Sequence, residues 1–161
     1  MIQVTSPAYA TVDREAIWAA LFAWFQQKAG SSFKIMGRRH VAPPQLAVAE
    51  QPAFFQVATK ERHIPQQKGM PPLLVLRGYI ILYAFDDSPL EAIGAEQLLG
   101  ETRLNKLLQA IDGALVPDDP SSGKFTLGGK VTHCWLEGEA DLDPGIFGPQ
   151  AAAILPINIL V

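Results

Sequence analysis

The sequence predicts an α+β domain: one mostly antiparallel sheet of about five strands, with two helical segments on one face, in the order α-β-β-β-α-β-β. Three observations carry this. A helix-period apolar pattern opens the chain and another lies past its middle. Between and after them run alternating or continuous apolar stretches rich in Val, Ile, Phe and Tyr. The connections between strands are short and punctuated by Pro and Gly, and sequential strands joined this way usually pair antiparallel.

The elements follow in order. "DREAIWAALFAWFQQKAG" is a helix, with Asp13 as N-cap, Glu15 in the first turn and Gly30 as its stop. Its apolar arc is broad: Ile17, Leu21 and Trp24 are flanked by Trp18, Phe22 and Phe25, so it needs neighbours on more than one side. "SSFKIMGRRHV" reads as a strand ended by Pro43 and Pro44, and "QPAFFQVATKER" as a second. "RHIPQQKGMPP" is an exposed basic loop. "PLLVLRGYIILYAF" is the longest strand. "DDSPLEAIGAEQLLGETRLNKLLQAIDGAL" is helical in two pieces, Ser88 and Glu91 capping the first and Gly100 marking the break. Leu104, Leu107, Leu108, Ile111 and Leu115 give the second piece its apolar face. "VTHCWLEGEADLD" is a fourth strand, "DPGIFG" a turn and "PQAAAILPINILV" a fifth strand.

The 161 residues fit a single domain, 1–161, which at this size buries roughly 70% of its unfolded surface and needs no staple. With 48% apolar and 18% charged residues, the composition is that of a folded globule. One cysteine leaves no internal disulfide. The N-terminus lacks a basic segment followed by an apolar core, and the apolar runs are interrupted or short, so neither a signal peptide nor a membrane span is expected. Net charge is −3, so nothing in it suggests an overall nucleic-acid grip. Its distribution is uneven: residues 1–80 hold nine Lys/Arg against four Asp/Glu, and residues 81–161 hold four against twelve. Either this is chance in a mixed fold, or the molecule is polarised so that one copy's basic face meets another's acidic face.

The long strand sharpens that choice. One face carries Leu74, Leu76, Gly78, Ile80, Leu82 and Ala84; the other carries Val75, Arg77, Tyr79, Ile81, Tyr83 and Phe85. The second set is too apolar for a bare solvent face. A loop or another subunit must cover it, and the rarity of large apolar patches on monomers favours the subunit.

Few residues suggest chemistry. Alternation places His133 and Cys134 on opposite faces, so they form no thiolate–imidazole dyad, and Cys134 is core filling. Glu137, Glu139 and Asp141 share a face, but i, i+2, i+4 spacing spreads them over about 13 Å, too far for one ion; they read as a solvated acidic column or an interaction surface. His40 and His63 sit among basic residues, which disfavours a cation site. "SSGKFTLGGK" fails as a phosphate loop because Asp118 stands where its first glycine belongs. Lys60, Arg62, His63 and Lys68 are a basic cluster that solvation explains, unless the loop meets another subunit or passing DNA. No catalytic residue, metal or cofactor is assigned.

The run of "DREAIWAALFAWFQQ", "QPAFFQVATKER", "LVLRGYIILYA", "LNKLLQAIDGAL", "VTHCWLEGEADLD" and "AAAILPINILV" resembles the tail terminator (tail completion) proteins of long-tailed bacteriophages and prophages, the minor tail protein U type. The likeness spans nearly the whole chain and lies in element order and hydrophobic pattern; no motif in it pins a functional residue. It implies a non-enzymatic virion protein, assembled in the bacterial cytoplasm, that forms a hexameric ring on the tail tube, ends tube growth and presents a docking face to the head-completion protein. "ERHIPQQKGMPP" stands where such proteins have a variable loop. In a ring, one patch meets a different patch of the neighbour. Candidate contacts are Lys60, Arg62, His63, Lys68, Arg77, Tyr79 and Tyr83. The Glu137–Asp141 column, if it lines the bore, repels DNA phosphates so that the genome slides through unbound. Two alternatives stand: another phage neck, head-closure or tube subunit, or a small ligand-binding or enzymatic domain with a pocket over Arg77, Tyr79 and Tyr83.

Overall fold

The computed structural model describes residues 11–86, 99–145 and 148–161. The fold is α+β: a mixed, curled six-stranded sheet with two helices packed on one face. Helix α1 spans Arg14–Ala29 and α2 spans Leu99–Ala114; the strands are β1 (Ile35–Gly37), β2 (Ala53–Ile64), β3 (Leu73–Phe85), β4 (His133–Leu136), β5 (Asp141–Asp143) and β6 (Gln150–Leu160). The sheet order is β1-β2-β3-β6-β4, with β5 also on β6. The β1–β2 pair is parallel and the other ladders are antiparallel.

Helix α1 begins as its cap residue dictates: the Asp13 carboxylate accepts from the Ala16 N–H at 2.9 Å. It ends at Ala29, and Gly30 continues right-handed into a 3-10 turn rather than flipping to the left-handed conformation. The broad apolar arc does find several neighbours. Ile17, Trp18, Leu21 and Phe25 are buried with the inner residues of β3 and with Leu104, Leu107 and Ile111 of α2. Trp24 donates its indole N–H to the Ala114 carbonyl (2.7 Å) and packs on Phe125, tying α1 to the end of α2. Phe54 sits at the centre, in ring contact with Phe22, Phe25 and Phe33.

Two expectations change. The first strand shrinks to Ile35–Gly37, because residues 30–32 form the 3-10 turn and Arg38 turns away to clasp Glu15 of α1. The segment that follows folds back over the sheet. The fourth strand is two short ones, β4 and β5, both paired with β6. The break lies opposite Pro156: Glu137 N–H donates to the Pro156 carbonyl, so Pro156 faces that edge, where it has no N–H to return. Gly138 accommodates the break at φ +109°. Gly100 lies in the first turn of α2, where a Cβ would meet Pro144 O at 3.2 Å and Ala151 Cβ at 3.3 Å; the residues before α2 that would show a break lie outside the described residues. The expected first helical piece with its Ser88 and Glu91 cap, and part of the "DPGIFG" turn, lie outside the described residues.

Candidate functional site

The outer face of the sheet, away from the helices, falls into two halves. At one end Phe55, Ile81 and Tyr83 are covered by the chain itself: Leu46 is buried against them, and Ile35, Val41 and Ile154 pack around. Here a loop provides the cover that sequence reasoning assigned to a neighbouring subunit. Tyr83, only 6% exposed, shares a 2.7 Å hydrogen bond between its hydroxyl and His40 Nε2. Burial raises its pKa above the usual tyrosine value. Tyr83 is therefore part of a small interior cluster, apart from the open surface.

The other half is open. Register places Lys60 beside Arg77, Arg77 beside Asn158, and Asn158 beside Trp135, a row running across four strands. The next row is Val57, Tyr79 and Pro156. Between them lies a cleft of about 320 Å³, lined by Thr59, Lys60, Arg77, Tyr79, Glu137 and Asn158 among others. Arg77 is aimed by its Nε–H bond to the Asn158 side-chain oxygen at 3.0 Å, and Asn158 is 4% exposed, so the guanidinium has a fixed anchor. Trp135 donates to Glu137 at 2.6 Å, and His133 stacks on the indole with centroids 4.9 Å apart. A β-bulge between Ala58 and Lys60 sets the facing of the arm: it keeps Lys60 and Arg62 on the outer face and turns Glu61 and His63 towards α1.

The predicted site residues are thus divided. Lys60, Arg77, Tyr79 and Glu137 line one cleft. Arg62 lies further along the β2 edge, exposed. His63 stands on the opposite side, 3.7 Å from Glu61, whose carboxylate also holds Arg14. Lys68 is in the exposed turn between β2 and β3. Glu137, Glu139 and Asp141 are all exposed but form no single strand column, since the chain bends at Gly138. Sequence reasoning missed Asn158 and the bond between His40 and Tyr83. Asn158 is a polar residue inside the apolar "PINILV", and its role appears only once register sets it beside Arg77.

Other candidate chemistry recedes. Cys134 is buried, and desolvation pushes its thiol up to about 12. In "SSGKFTLGGK" the donors are used internally: Ser121 and Ser122 donate to Asp119, and the Thr126 and Gly128 amides donate to Asp118. Among the described residues, no three His, Cys, Asp or Glu side chains gather as a metal site requires, and no helix is long and apolar enough to cross a membrane.

Compared with known proteins, the chain matches no family model and no curated protein sequence.

Proposed function

We propose that this chain is a bacteriophage or prophage tail terminator: a structural subunit, not an enzyme, that assembles as a closed hexameric ring on the tail tube, stops its growth and offers the head-completion protein a docking face. DNA passes through the ring without sequence-specific binding, and no cofactor takes part. The resemblance in element order supplies the family. The structural observation that carries the reading is the half-covered outer face. One end is sealed by the chain's own loop, while the other exposes Arg77 and Tyr79 and continues into a long hairpin arm with Met70 and Leu73 exposed. An apolar and cationic surface on a projecting arm suits a protein whose work is to be covered by others.

The test is to add the purified protein to polymerising tail-tube protein from the same phage and image the products. Tubes that stop growing and carry the protein at one end only are expected. Uniform decoration of the tube, or unchanged tube length without binding, overturns the reading. A second reading, a small ligand-binding domain, is favoured by the Lys60/Arg77 cleft. Saturable binding of a small anion there, without assembly, would select it.

A further inference from the structure

The sheet has two open edges, and they carry opposite charge. Strand β1 pairs with β2 only from Ala53 to Phe55, so β2 beyond Gln56 has no strand on its outer side. That stretch presents Lys60 and Arg62, both exposed. On the far side of the sheet, β5 and the bend before it form the other edge, presenting Glu139 and Asp141, also exposed.

The charges on these edges have no partners of their own among the described residues. Around α1 two exposed pairs form: Arg14 holds Glu61, and Arg38 holds Glu15 through two bonds. Among the described residues, Lys60, Arg62, Glu139 and Asp141 have no ion pair. Lys60 stands directly across from Arg77, whose bond goes to the neutral Asn158 amide. Like charges facing each other across a strand pair are unfavourable unless an anion sits nearby. Glu61, between the two cations, faces α1 and holds Arg14, and Glu137 lines the cleft with Lys60 and Arg77; Glu139 and Asp141 lie on the opposite edge of the sheet from Lys60 and Arg62, so these two sets are complementary between copies.

We propose that these edges form a head-to-tail interface: Lys60 and Arg62, with Arg77 behind them, receive Glu139 and Asp141 of a second copy. Two different edges of one sheet give a heterologous contact, the type that makes a ring when its rotation closes and a filament when it does not. The patches are not level. Arg77 registers with Asn158 and Asp141 with Ile154, four residues apart on β6 or about 13 Å. The neighbour is therefore displaced along the strands rather than continuing the sheet in register. The bulge and the cations on β2 also block indiscriminate edge pairing, so only an acidic edge fits. The choice of a second copy as occupant rests on the ring reading.

The test is a charge swap on the full chain, read by light scattering and sedimentation at low and high salt. Lys60→Glu with Arg62→Glu makes both edges acidic; Glu139→Lys with Asp141→Lys makes both basic. Each variant alone should lose self-association by about a hundredfold, since like-charge contacts replace attractive ones. An equimolar mixture should recover it, as alternating subunits restore every contact; unfolded protein gives no such recovery. Salt should weaken wild-type association. If wild type assembles and both variants assemble equally, the interface lies elsewhere and the ring reading stands. If both variants fail and the mixture does not recover, the edge pairing is wrong. If wild type stays monomeric throughout, the second copy is not the occupant, and the tube-capping assay decides the ring reading separately.

Discussion

Gly78 offers the most direct test of how β2, β3 and α1 are pressed together. It lies on the inner face of β3, opposite Ala58 and Ile157. A Cβ there would lie 2.8 Å from Trp18 Cη2 and closer still to the Val57 carbonyl oxygen. Comfortable carbon–carbon contact is about 3.5–4.0 Å, so Gly78→Ala must move the indole by roughly an ångström and also spread the strand pair. The Trp18 ring has nowhere to go, being 6% exposed. Overpacking of this kind costs about 1–3 kcal/mol, and the backbone clash puts this site at the upper end. Against that, alanine gains ~0.5–1 kcal/mol over glycine in strand backbone entropy. The net is about 2 kcal/mol, or a fall in Tm of roughly 4–8 °C for a domain of this size. Urea unfolding followed by tryptophan fluorescence, with thermal melts by circular dichroism, measures it. A smaller ring relieves only one of the two clashes, so adding Trp18→Phe should give partial recovery relative to Trp18→Phe alone. A Gly78→Ala protein within about 0.5 kcal/mol of wild type, or complete recovery in the double variant, would refute the reasoning.

Three further outcomes are expected. Phe54→Ala removes a fully buried ring in contact with three others and should cost about 3–5 kcal/mol in the same urea assay. Cys134, buried with its thiol pushed up to about 12, should resist a disulfide reagent in the native protein and react promptly after unfolding; fast native labelling would place it elsewhere. Asp119 is pulled down to about 2 by the Ser122 and Ser121 hydroxyls and the Ser121 amide. A depressed carboxyl stabilises above its ordinary value of 3.8 and loses that contribution as pH falls towards 2. The stability difference between wild type and Asp119→Asn should therefore be constant above 3.8 and shrink only below it. A difference that persists unchanged to the lowest pH would show that the carboxylate form is not what the serines hold.

Much of the architecture was legible because it is local. Asp13 caps α1, and β2, β3 and β6 declare themselves by continuous apolar runs between prolines and glycines. The two faces of β3 could also be separated by counting, and Leu74, Leu76, Ile80, Leu82 and Ala84 do point into the main core. What failed depended on partners distant in sequence. The end of β1 is decided by Arg38 reaching Glu15. The split between β4 and β5 is decided by Pro156, a residue whose position in the strand is visible but whose facing needs the register. Tyr83 looked like its neighbours Arg77 and Tyr79, yet it lies under the returning loop beside His40, while they stay in the open. The open half of the outer face became a candidate site only when Asn158 and Glu137 were brought to it by β6 and the bend after β4.

The central claim is that copies of this chain close into a ring of fixed size. Light scattering after size exclusion, over a wide range of protein concentration, tests it most directly. The account predicts a species near six times the 17.5 kDa chain mass that forms with rising concentration and grows no further. Open-ended growth would contradict it; a monomer at every concentration passes the decision to the tube-capping assay, where failure to cap would contradict it.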